Sequence, residues 1–157
     1  MLKVDLKGAT LTAMPLADEE RLKKLRTGTH LGTMGYPGEL MQPYLSALDL
    51  TKRESKTAIA TFKDGWIGRI TDFEDRAADY AAPYWIQHSA STSGGTSGSP
   101  MFTSDGYVIA VNNSGIDHHV QVEQAAGTTA VRTPSASQIG HAVRADILCE
   151  FVQSTGW

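Results

Sequence analysis

A chain of 157 residues can fill one hydrophobic core but not two. Charged residues make up 20% of it and the net charge is -3, so it carries no basic field to draw in nucleic acid or an anionic membrane surface. No apolar run is long enough to span a bilayer, and Lys3, Asp5 and Lys7 stand where the apolar core of an export signal would begin; the single cysteine, Cys149, excludes an internal disulfide and reads as a buried thiol.

The first expected element is a short helix. Asp18 is suited to cap it, Glu19 and Glu20 meet the positive end of its dipole, Lys23, Lys24 and Arg26 meet the negative end, and Gly28 stops it after Leu25. Short apolar runs separated by Gly, Ser and Thr then recur, which is the pattern of an antiparallel barrel or sandwich. Strands are expected around residues 30–34, 57–62, 66–71, 84–87, 100–103, 107–112, 120–123 and 140–144. Asp64-Gly65 and Asp105-Gly106 both lie between apolar runs and predict tight hairpin turns, since such turns need positive φ. Residues 39–56 and 73–82 mix charged with apolar side chains and fit either a loop or a short helix. At the end of the chain, Ile147, Leu148, Phe151 and Val152 share one helical face, so a closing helix should start at Ala145 or Asp146. The class is mostly β.

One segment carries chemistry. Ser93-Gly94-Gly95-Thr96-Ser97-Gly98-Ser99-Pro100 leads into an apolar strand, the Asp105-Gly106 turn and a second apolar strand ending in Asn113-Ser114-Gly115. A nucleophilic serine needs its hydroxyl at an exposed bend and backbone N–H groups aimed at the oxyanion that develops on an attacked carbonyl; glycines permit that crowded backbone. Ser97 is the candidate nucleophile, and Gly95 and Ser97 are the candidate oxyanion donors, each such donor contributing about 3 to 4 kcal/mol of transition-state stabilisation. A phosphate-cradling loop would end in Gly-Lys-Ser or Gly-Lys-Thr, and this segment has no lysine. A plain flexible turn would leave the ordered strands on both sides unexplained.

Gly94 to Pro100 resembles the G-G-x-S-G-S-P nucleophile motif of the trypsin-like serine proteases, in particular of the glutamyl-endopeptidase and exfoliative-toxin branch found in bacteria. Gly35-Tyr36-Pro37-Gly38 resembles the turn after the first strand of that family's second barrel, Tyr107 to Gly115 resembles the strand lining its substrate pocket, and Ala142-Val143-Arg144 resembles the approach to its last helix. The resemblance implies a six-stranded Greek-key barrel of chymotrypsin type with a C-terminal helix over residues 28–157, preceded at 1–27 by an inter-barrel linker containing the short helix. It further implies that Ser91 and Thr92 approach the base of the specificity pocket and that Asn112, Asn113, Ser114 and Gly115 form its wall. An acidic residue at Ser91 would favour basic substrates and a histidine at Asn112 would favour glutamate, so the expected pocket is neutral and takes small or uncharged side chains.

In that family the catalytic His and Asp precede the serine and come from a first barrel. Leu2-Lys3-Val4-Asp5 resembles the segment just after the aspartate, so both groups are expected to be missing and efficient proteolysis by this chain alone is not expected. Of the histidines, His30 and His141 fall on expected strands away from the pocket, while His88, nine residues before Ser97, lies in a segment that leads to the pocket floor rather than to the base. Asp117-His118-His119 is a weak metal pattern that reads as a solvated loop, because neighbours on a strand face opposite ways. No cofactor and no metal are expected. The expected partners are a peptide or protein substrate once a first barrel completes the site, and a second copy or a separate chain on the face such a barrel would cover. A barrel kept only for binding peptides or proteins is the alternative function.

Overall fold

The computed structural model describes residues 7–8, 10, 12–37, 60–74, 76, 83–115, 119–120, 133–134 and 139–156. The segment 39–56 and most of 73–82 lie outside these residues, as do Asp117, His118 and the greater part of the strand expected at 120–123.

Helix α1 runs over Glu19–Lys24, and Asp18 caps it by accepting a hydrogen bond from the Arg21 N–H at 2.8 Å. Eight strands follow among the described residues: β1 (His30–Gly35), β2 (Thr61–Thr71), β3 (Trp85–His88), β4 (Pro100–Phe102), β5 (Val108–Gly115), β6 (His119–Val120), β7 (Thr133–Pro134) and β8 (Gly140–Arg144); helix α2 (Ala145–Ser154) ends the chain. β1, β2, β3, β8, β5 and β4, in that spatial order, close into an antiparallel barrel, while β6 and β7 form a separate ribbon. The fold is therefore the expected six-stranded closed barrel with a C-terminal helix. Closing the sheet removes the exposed edges that a six-stranded open sheet would have to protect.

The interior is built from alternate strand positions together with the buried face of α1. Leu31, Ile67, Ile86, Met101, Ile109, Ala110 and Ala142 meet Leu22 and Leu25 in one cluster. The residues before α1 are tied to the barrel by main-chain bonds, from Ala17 N–H to the Val108 carbonyl at 2.8 Å and from Val108 N–H to the Pro15 carbonyl at 2.9 Å. Helix α2 buries only Ala145; Phe151 is exposed and Cys149 is half-buried, so the thiol is less enclosed than expected.

One expected turn is absent. Asp64 and Gly65 do not form a hairpin; β2 runs through them without a break, and they pair with Gly32 and Leu31 of β1. Gly65 serves close approach instead: a Cβ there would lie 2.3 Å from the Ala90 nitrogen. The second Asp-Gly pair behaves as expected, with Gly106 at φ +85° and its N–H bonded to the Thr103 carbonyl at 2.9 Å between β4 and β5.

Candidate active site

The 93–98 segment is a compact double turn between β3 and β4. Thr96 closes its first half three times over: its N–H and its hydroxyl both donate to the Ser93 carbonyl, at 3.1 and 2.7 Å, and its Oγ1 accepts from the Ser93 N–H at 3.3 Å. Gly95 and Gly98 take φ of +96° and +84°, in a region closed to most side chains. The second half is stitched to β5, where Gly98 N–H donates to the Asn112 carbonyl at 2.8 Å and Asn112 N–H to the Ser99 carbonyl at 2.9 Å.

Ser97 stands exposed at the tip of this bend, and its hydroxyl donates to the Asn113 carbonyl at 3.0 Å. Beside it a cavity of about 250 Å³ lies between the 92–97 loop and the end of β5, lined by Thr92, Ser97 and Asn112 to Gly115 among others. The structure thus brings together the expected nucleophile and the four expected wall residues, and Thr92 joins them, buried. Gly95 sits in the turn before Ser97 but outside the cavity lining. Ser91 is exposed and also outside it, its side chain on the solvent side while that of its neighbour Thr92 is buried. Behind the lining, Asn112 is bonded to Thr96 and to His88, a set that no single stretch of sequence announces.

His88 is 2% exposed, on β3, and its Nε2 lies 3.2 Å from Asn112 Oδ1. Burial pushes its imidazole down to about pKa 4, against the upward pull of the Asn112 bond and of the Ala90 backbone, with His141 adding a further push down. It is therefore neutral at physiological pH. His30 bonds Asp64 at 2.9 Å on the outer surface, and His141 faces Gln87 at 3.0 Å. Each of the three histidines whose side chains are described is thus bonded to a group other than Ser97. Among the described residues no trio of His, Cys, Asp or Glu is arranged to hold a metal ion, and no helix is long and apolar enough to cross a membrane.

A larger cavity of about 730 Å³ lies between α1, α2 and the end of β2, away from Ser97. Its charges are mostly answered internally: Arg76 pairs with Asp72 and Glu74, Lys23 with Glu19, and Arg144 with Asp146. Among the described residues its lining holds no serine, threonine or cysteine, whereas the smaller cavity is lined by Ser97.

No curated protein matches the sequence. Among solved structures the chain is similar to an HtrA-type protease, AlgW with decapeptide, at a TM-score of 0.60 and 21% identity; the match covers 97% of this chain and 35% of that one, so the chain spans about a third of that structure's length. Likeness at that identity establishes the fold. The bend at Ser97 and the closed barrel around it agree with the match of residues 1–111 to the family model for a trypsin-like peptidase domain, and the chain belongs to that family.

Proposed function

We propose that this domain carries the nucleophile and oxyanion loop of a serine endopeptidase, and that the general base comes from a first barrel outside these 157 residues, preceding the 1–27 linker. On this reading Ser97 is the nucleophile, Gly95 and Ser97 donate to the oxyanion, and Thr92 with Asn112 to Gly115 receives the substrate side chain. The observation that carries it is the convergence, at one exposed bend, of a serine hydroxyl, two left-handed glycines and a cavity walled by a sheet strand. The lining holds hydroxyls and amides and no ionised side chain, which favours small or uncharged substrate residues. The similar HtrA-type protease is one with a decapeptide, which supports a peptide as the ligand class. A second reading is favoured by the Ser97 hydroxyl itself: it donates to the Asn113 carbonyl rather than to a base, as befits a barrel that binds peptides without cleaving them.

A fluorophosphonate probe separates the two. In a longer product of the same reading frame that supplies His and Asp, Ser97 is expected to be labelled rapidly and Ser97→Ala to abolish labelling; the chain alone should react roughly 10⁴-fold more slowly, the scale of triad defects. Protease-like labelling of the chain alone, or none in the completed product, would overturn the endopeptidase reading. An upstream frame without a His and Asp barrel, together with retention of uncleaved peptides, would establish the binding module.

The partner surface is proposed on the outer side of β1 and β2. Met34 pairs with Phe62 across the two strands, Phe62 approaches Phe102, and His30 meets Trp66 edge-on, while Met34, Phe62 and Trp66 are each about half exposed. Such an apolar stripe favours burial against a first barrel or a second copy. Light scattering should therefore show the isolated chain self-associating as concentration rises. A clean monomer throughout would remove the proposal.

A further inference from the structure

Asn112 is 3% exposed and its side-chain amide is fully committed. Nδ2 donates to the Thr96 carbonyl at 3.0 Å and reaches Thr96 Oγ1 at 3.2 Å, while Oδ1 faces His88 Nε2 at 3.2 Å. A carbonyl can only accept, so the amide nitrogen must be the end that faces Thr96. His88 must then carry its proton on Nε2. The Thr96 carbonyl is saturated, since Ser99 N–H donates to it as well at 3.1 Å.

The Thr96 C=O and the Ser97 N–H belong to one planar peptide and point in opposite directions. Anchoring the carbonyl inward on a β5 side chain therefore aims the Ser97 N–H away from the barrel interior, where the exposed Ser97 hydroxyl stands. The imidazole behind Asn112 is costly to keep. Its Nδ1 is buried without a hydrogen bond of good geometry, the Ala90 backbone only favouring the ring's proton without bonding it, and it fits only because residue 140 is glycine: a Cβ there would lie 2.2 Å from His88 Cε1. An apolar side chain would fill the same space without an orphaned nitrogen. The use that justifies the histidine is its Nε2–H, which together with the Thr96 carbonyl at the other end stops the Asn112 amide from turning over.

We infer that His88 is a positioning residue which, through Asn112 and the Thr96 carbonyl, fixes the direction of the Ser97 N–H as an oxyanion donor. The inference rests on the reading of the Ser97 bend as an oxyanion loop, but the orientation itself can be measured without catalysis.

The test is NMR on the isotopically labelled chain at neutral pH. In the wild type, the His88 ring nitrogens should report the neutral Nε2–H tautomer, and a coupling across the hydrogen bond should join Asn112 Nδ2 to the Thr96 carbonyl carbon. In His88→Met the coupling should disappear and the Ser97 amide signal should move, while the signals of Leu22 in α1 and of Gly106 in the β4–β5 turn stay in place. In His88→Gln, whose Nε2–H can replace that of the ring, both should return to wild-type values. A proton on Nδ1, an absent coupling in the wild type, or an unmoved Ser97 amide in His88→Met would each overturn the inference. Should His88→Met not fold, the wild-type tautomer and coupling and the His88→Gln rescue still decide. The functional reading fails separately: a relay that behaves as described in a completed product whose Ser97 never reacts with the fluorophosphonate would leave a fixed amide with no oxyanion to serve.

Discussion

Replacing Gly65 with alanine should lower folding stability by about 3 kcal/mol or more, the upper range for overpacking a filled interior. The added Cβ would lie 2.3 Å from the Ala90 nitrogen, 2.7 Å from the Ala90 Cα and 2.8 Å from the Ser89 carbonyl carbon. All three are main-chain atoms, so no rotamer change relieves the clash. The segment would have to move outward, breaking the bond from Ser89 N–H to the Trp66 carbonyl and the bond from Trp66 N–H to Ser89 Oγ, both 3.0 Å. Gly106→Ala is the control: open space surrounds it, and only its positive φ is penalised, at about 1 to 2 kcal/mol. Urea unfolding should place the Gly65 variant at the lower midpoint with unchanged slope. Equal midpoints would show that the strand yields easily at Ala90.

Acidification should cost roughly 3 kcal/mol of stability through His88 alone. An unfolded histidine takes up its proton near pH 6.5, whereas burial delays uptake in the folded state until about 4. Between those values the unfolded chain holds more protons, so lowering the pH favours it; above the window nothing is lost, and below it both states are protonated and the loss stops growing. The carboxylates act elsewhere. Asp72 is held below its usual value by the Arg76 N–H and Asp105 by the Thr103 hydroxyl, while burial pushes Asp146 up but Arg144 draws it further down. Their contributions are lost only as the pH falls below the ordinary carboxylate value of 3.8. His88→Gln cannot titrate, so its urea midpoint should change much less than that of the wild type between neutral pH and about pH 4.5. A Gln variant as acid-sensitive as the wild type would assign the effect to other groups.

The two Asp-Gly pairs show how far sequence reading reaches. Asp105-Gly106 makes its turn because the flanking strands β4 and β5 are neighbours in the barrel and open space surrounds Gly106. Asp64-Gly65 has the same letters, yet the missing side chain answers a main-chain approach from residue 90, which no local pattern encodes. The Gly94 to Pro100 bend was legible for the opposite reason: its positive φ values and its Ser93–Thr96 bonds are internal to the motif. Ser91 and Thr92 are neighbours in sequence, yet only Thr92 enters the lining and Ser91 faces solvent, a difference of facing that the motif's letters do not state. The histidine behind the lining was invisible as a positioning group because its partner lies 24 residues further on, across a seam that exists only once the barrel has closed.

That seam has a consequence for the motif. The buried groups behind the Ser97 bend come from β3, β5 and β8, and the strand contacts that seat them join residues as far apart as Gln87 and His141, or Ser114 and His141. Such long-range contacts form only with the whole fold, after the entropy of closing large loops has been met. The serine loop is accordingly not a portable cassette: transplanted as a peptide or grafted onto another scaffold, it would keep every letter of its signature and lose the donor that orients it.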